Sequence, residues 1–185
     1  MLIGIAGPLA VGKDTVGAIL KEEGFVNFSY GDVLRDECDR RGIPKDRPTL
    51  VRIADEFRAK DPAYLSKLLL KRIKSSGVAK ALLTGIRTPS EVAELRKDPS
   101  FVLVWVDAPL ELRYARIHAN PRDERDTISF EEFKAHDERE WHGINTHISF
   151  SKIKLMADVE IQNDKGLKEL REQALGVLNR IRQES

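Results

Sequence analysis

Gly7-Pro8-Leu9-Ala10-Val11-Gly12-Lys13-Asp14-Thr15 has the Gly-x4-Gly-Lys spacing of a loop that wraps around phosphates. Gly7 and Gly12 suit that task, because a tight turn that brings backbone N–H groups onto an anion leaves no room for a side chain. Lys13 adds a mobile positive charge for β- and γ-phosphates. A helix beginning near Asp14 points the positive end of its dipole at the same place. Gly7, Ala10, Val11, Gly12, Lys13, Asp14 and Thr15 are therefore the candidate contacts to a nucleoside triphosphate, with ATP and Mg²⁺ as the implied ligands.

The Ser or Thr that usually follows the lysine and ligates Mg²⁺ is displaced: Asp14 holds that position and Thr15 comes one later. A carboxylate is the stronger magnesium ligand, yet it brings negative charge toward phosphates, which is tolerable with the metal between them. Asp14 and Thr15 are expected on the metal side of the nucleotide, directly or through water. The alternative for Asp14 is a first-turn acid that steadies the helix dipole. Two further segments carry arginine: Gly31-Asp32-Val33-Leu34-Arg35 and Thr84-Gly85-Ile86-Arg87-Thr88-Pro89. A guanidinium grips phosphate oxygens in two-point fashion, so Arg35 and Arg87 beside a triphosphate loop suggest a second, phosphorylated substrate. Asp32 is the acid that could serve as a base if the acceptor were instead a hydroxyl.

These residues must be positioned by a sheet. Short apolar runs alternate with helical patterns, the signature of βαβ units on a parallel sheet. Strands are expected at 2–6, 25–29, 81–84, 101–106 and 157–161; the fourth is apolar without alternation, as a central strand should be, and the fifth alternates, as an edge strand does. Helices are expected at 14–23 and 167–182. Three more (32–41, 49–60 and 63–75) fill an insertion over 31–77. A further pair, 109–118 and 129–141, flanks a polar, arginine-bearing stretch at 119–128. Both interruptions follow the carboxyl ends of strands, where ligands bind in open α/β sheets.

The chain has 185 residues, with 31 Lys plus Arg against 30 Asp plus Glu, so no global basic field argues for nucleic acid or an anionic membrane. One core fits this length, and a single domain over 1–185 is expected. Cys38 stands alone, the four histidines lack metal-ligand spacing, and no signal peptide or spanning segment is visible, so a cytoplasmic protein is expected.

Gly31-Asp32-Val33-Leu34-Arg35 resembles the Gly-Asp-x-Leu-Arg segment of adenylate kinases, and Gly85-Ile86-Arg87-Thr88 resembles their Gly-Phe-Pro-Arg-Thr segment, one residue shorter. The whole chain is more similar to the P-loop kinases grouped with dephospho-coenzyme A kinase and the archaeal adenylate-kinase-related proteins. Arg87-Thr88-Pro89-Ser90-Glu91 and the late segment from Ala157 to Asn163 carry that likeness. The ending Gly-Lys-Asp-Thr is also similar to deoxynucleoside monophosphate kinases. The resemblance implies a three-layer α/β P-loop kinase with a five-stranded parallel sheet, an acceptor-binding helical insertion and a lid at about 119–128. It implies transfer of the ATP γ-phosphoryl to a small phosphorylated acceptor, a (deoxy)nucleoside monophosphate. Lys13, Asp32, Arg87 and Arg122 would then be catalytic, and Asp32, Arg35 and Arg87 would hold the acceptor. Arg113, Arg116, Arg122 and Arg125 would be available to adenine or phosphate, with Arg139 a weaker candidate and Asn163 near the adenine. Adenylate kinases have aspartate where Thr84 stands, and dephospho-coenzyme A kinases carry Asp-Ala-Asp after the second strand, where this chain reads Ser29-Tyr30-Gly31-Asp32 and keeps one acid. A hydroxyl-accepting kinase, or a nucleotide-driven binding protein, is the alternative.

Overall fold

The computed structural model describes residues 1–119, 121, 127–144 and 146–184. Five strands, β1 (Leu2–Ala6), β2 (Val26–Ser29), β3 (Ala81–Thr84), β4 (Phe101–Asp107) and β5 (Val159–Gln162), form one parallel sheet in the order β2-β3-β1-β4-β5. The α/β three-layer architecture is thus the one the sequence implies. Period-two alternation assigns each strand's side chains to a face. Leu2, Ala6, Ala81, Leu83, Phe101, Leu103 and Trp105 point into one apolar layer, and Ile3, Ile5, Leu82, Val104 and Val106 into the other. The second layer is closed by α1 (Lys13–Glu22) and α9 (Leu167–Glu184), whose stripe of Leu170, Ala174, Leu178 and Ile181 is buried there. The first is closed by α2 (Tyr30–Arg41), α3 (Arg47–Lys60) and α4 (Tyr64–Ser76) of the insertion, with α5 (Pro89–Leu95) and α8 (Phe150–Lys154). Helices α6 (Leu110–Ala119) and α7 (Phe130–His142) follow β4. Trp141 of α7 stacks edge-on to the fully buried Trp105, which ties α7 to the end of β4.

β5 is an edge strand, but it starts at Val159 rather than Ala157. Asp158 explains the shift: its backbone N–H donates to the Leu103 carbonyl while its carboxylate accepts from the Leu103 N–H at 2.7 Å, a side chain standing in for a ladder partner. Helix α5 was not expected from the sequence. Thr88 caps it, Glu91 reaches back to the capping backbone, and Pro89 occupies its first turn. Helix α8 was likewise not anticipated; five residues are too few for a period to register. Among the described residues no helix is long and apolar enough to cross a membrane.

Candidate functional site

The loop after β1 is held open by its neighbours. Gly7 lies at φ +149, and a Cβ built there would meet the Val106 carbonyl oxygen of β4 at 2.2 Å. At Gly12, φ +96, a Cβ would meet the Asn163 amide nitrogen at 2.2 Å. Ala10 takes φ 61 without being glycine, a local strain of about 1 kcal/mol carried by the loop. Val11 anchors the loop by burying its side chain in the α1/α9 layer. What remains is a backbone concavity ending at the N-terminus of α1, where Gly12 stands as cap with no side chain bonded to the first turn. That is a cradle for an anion.

Two residues from distant parts of the chain brace it. Asn163, buried just beyond β5, donates its amide to the Val11 carbonyl at 2.8 Å. Arg116 of α6 donates to the Asn163 carbonyl at 2.8 Å and reaches the Ala10 carbonyl at 3.4 Å. Both expected nucleotide contacts are therefore brought to the P-loop, where they hold its backbone. Arg113 departs from expectation. It is 4% exposed, forms a two-point pair with Asp137 of α7 at 2.6 and 2.7 Å, and donates to the Ala108 carbonyl, so its guanidinium is consumed in docking α7 rather than offered to a ligand. Arg122 and Arg125 lie outside the described residues.

Lys13 folds back over the loop, donating to the carbonyls of Gly7 (2.7 Å) and Pro8. Burial, reinforced by Arg87, pulls its ammonium down to about 7, and Asp14 and Glu140 oppose that pull. These influences identify the charges gathered at the phosphate end: Lys13 and Asp14 from the loop and α1, Arg87 from the β3–α5 connection, Glu140 from α7. Glu140 lies 3.9 Å from Arg87. Burial also lowers the Arg87 guanidinium, Glu140 opposes this, and Arg58 and Arg47 add to the lowering, so Arg47 of α3 shares the same field. Asp32 and Arg35 instead form their own pair at 2.6 Å, half exposed on the first turns of α2.

Arg87 owes its place to a buried polar network. Glu91 is fully buried and accepts from Arg58 Nε (3.1 Å) and Nη2 (2.9 Å), and from the backbone N–H groups of Arg87 (2.8 Å) and Thr88 (3.1 Å). Ser66 donates to the Glu91 carbonyl at 3.0 Å, and Tyr30 completes the chain by donating to Ser66 at 2.5 Å. Gly85, at φ +97, packs against the Tyr30 side chain. The segment carrying Arg87 is thus fixed at both ends. Nothing in the sequence reading singled out Arg47, Arg58 or Glu140; the Thr88-x-x-Glu91 capping box was a legible signal for Glu91.

Magnesium prefers hard oxygen ligands, one or two from protein and the rest from phosphate and water. The Asp14 carboxylate, exposed on the first turn of α1, and the Thr15 hydroxyl beside it fit that donor set. Asp107 at the carboxyl end of β4 is occupied elsewhere, accepting from Lys154 at 2.8 Å. Thr84 donates to Asn27 at 3.1 Å. Among the described residues no three His, Cys, Asp or Glu side chains gather into a metal cluster. Beside the P-loop a cavity of about 620 Å³ runs between α3 and α7, with Leu9, Val51, Phe133 and Ile148 as apolar walls and Arg47, Asp55, Arg139 and Glu140 as polar ones.

The fold and loop together define a P-loop nucleotide-binding protein of the kinase-like kind. A family profile described as an AAA domain matches residues 3–140. The UPF0200 protein of Methanoculleus marisnigri is 30% identical over 184 residues, spanning 97% of this chain and 96% of its own. The chain belongs to the UPF0200 family, and its 3–140 region to that AAA-domain family. Among solved structures it is similar to TT1252 from Thermus thermophilus, with TM-score 0.69, 21% identity, and coverage of 97% of this chain and 96% of the other. It is also similar to the shikimate kinase from Acinetobacter baumannii in complex with shikimate, with TM-score 0.58, 19% identity, and coverage of 100% and 94%.

Proposed function

We propose that the protein is an ATP-dependent phosphotransferase of the cytoplasm that moves the γ-phosphoryl of ATP to a small phosphorylated acceptor, a (deoxy)nucleoside monophosphate. The observation that carries this reading is Arg87: a guanidinium carried on a backbone segment that Glu91 fixes, in the field of the P-loop lysine, with Arg47 close by and a cavity of about 620 Å³ alongside. In the reaction, Lys13 exchanges the Gly7 and Pro8 carbonyls for β- and γ-phosphate oxygens, following the charge as it shifts toward the leaving oxygen. Arg87 exchanges Glu140 for the acceptor phosphate and sets it in line with the γ-phosphorus, with Arg47 sharing the charge. Asp14 and Thr15 would hold Mg²⁺, which would supply charge neutralisation to the phosphate oxygens. An acceptor phosphate is already ionised, so no base is required.

The structural neighbour that binds shikimate keeps a hydroxyl acceptor in view as the rival. Asp32 would be its base, yet that carboxylate is engaged by Arg35. Steady-state kinetics separates the two. Arg87→Ala is expected to raise the KM for the acceptor well above any change for ATP, Arg87→Lys to rescue poorly for want of a planar fork, and Asp32→Asn to be mild. A severe kcat loss in Asp32→Asn with unchanged acceptor KM in Arg87→Ala would overturn the phosphate-acceptor reading.

A further inference from the structure

A second cavity, of about 400 Å³, is lined by Arg58, Thr88, Ser90, His142, Ser149 and Lys152, and shares His147 with the larger one. Its volume is in the range of small-molecule sites. No carboxylate lines it among the described residues, although the chain as a whole is almost neutral. Arg58 is balanced by Glu91, but Lys152 and both histidines form no ion pair among the described residues. The decisive group is Ser149. It is 7% exposed, and its Oγ is the buried side-chain oxygen that finds no hydrogen-bond partner among the described residues. Although Ser149 stands at the cap position of α8, its hydroxyl does not bond to the helix. Gly143, at φ +74, leaves room next to it: a Cβ built there would come within 3.6 Å of that oxygen. A buried hydroxyl without a partner costs about 1–3 kcal/mol and calls for an occupant that accepts its proton.

We propose that this cavity is a second binding site, for a phosphate- or sulfate-type oxyanion, either free or as the head of a small molecule. Ser149 Oγ and the Ser90 hydroxyl donate to it, and Lys152 with the imidazoles of His142 and His147 supplies the attraction. Thr88 and Arg58 belong both to this wall and to the network that fixes Arg87, so occupancy stiffens the segment that presents Arg87 to the P-loop.

The test is calorimetric titration of inorganic phosphate into the full chain saturated with ADP, which fills the P-loop. Saturable binding is expected in the parent, weakened about tenfold by Lys152→Ala or Ser149→Ala and retained in Arg87→Ala. Lys152 is exposed, so its removal leaves the fold intact. Without phosphate, Ser149→Ala should melt no lower than the parent, since it removes an unsatisfied group, and with ADP present added phosphate should raise the melting point of the parent more than that of Ser149→Ala. Tighter binding of glycerol phosphate than of inorganic phosphate would mark an attached headgroup as the source of the anion, and equal or weaker binding the free ion. Absence of saturable binding, or binding that Arg87→Ala abolishes while Lys152→Ala leaves it unchanged, would overturn the proposal.

Discussion

Removing Glu91 tests how the site is held together. Its carboxylate is fully buried and receives two guanidinium hydrogen bonds from Arg58, itself 7% exposed, and two backbone N–H groups. Glu91→Ala leaves the buried Arg58 charge with only the half-exposed Asp55 carboxylate, 3.9 Å away, and breaking a buried pair in this way costs about 3–5 kcal/mol. In a domain of this size each kcal/mol moves the melting point by about 2–4 °C, so a drop of roughly 6–20 °C is expected. Arg58→Met alone should destabilise by a similar mechanism, because it leaves the Glu91 carboxylate facing an apolar chain. The double variant should lose far less than the sum, since a buried pair replaced by apolar groups is often close to neutral; a coupling of about 2–3 kcal/mol is expected. Urea denaturation of the four proteins gives this number directly. The double variant should nevertheless keep a raised acceptor KM, because the N–H groups of Arg87 and Thr88 still lack their acceptor. Additive single effects, with coupling under about 0.5 kcal/mol, would refute the claim that the pair acts as a unit.

Two further expectations concern the nucleotide. Burial lowers Lys13 to about 7 in the free protein and bound phosphate restores its charge, so binding of the Mg²⁺ complex of ATP should take up more protons at pH 8 than at pH 6. Calorimetry in buffers of different ionisation heat checks this; equal uptake at both pH values would contradict it. Asp14→Ala should raise the Mg²⁺ concentration needed for half-maximal activity, whereas a helix-dipole role alone would cost about 0.3–1 kcal/mol of stability and leave the magnesium titration where it was.

What could be read from the sequence was local. The P-loop is a contiguous segment, and the loss of backbone room at Gly7 and Gly12 is written in their residue types, although the atoms that take that room, the Val106 carbonyl and the Asn163 amide, come from elsewhere in the chain. The parallel sheet was legible because strands such as 101–106 are buried on both faces and so read as unbroken apolar runs. Glu140 and Arg47 carried no signal: each is one charge among many on a helix surface, and only the tertiary fold, which brings α7 and α3 to the segment after β3, makes them neighbours of Arg87. Arg113 misled for the opposite reason. An arginine at the ligand edge looks available until a partner such as Asp137 is brought up by tertiary contact.

Transfer between two bound phosphates can be followed directly. Protein, Mg²⁺ and ATP labelled in the γ-phosphoryl group are incubated with each nucleoside and deoxynucleoside monophosphate, and the label is followed by chromatography. At least one acceptor should yield one labelled nucleoside diphosphate per ADP formed, and that product should be lost in Lys13→Ala and Arg87→Ala. Label appearing as inorganic phosphate alone, with every monophosphate left unconverted, would contradict it.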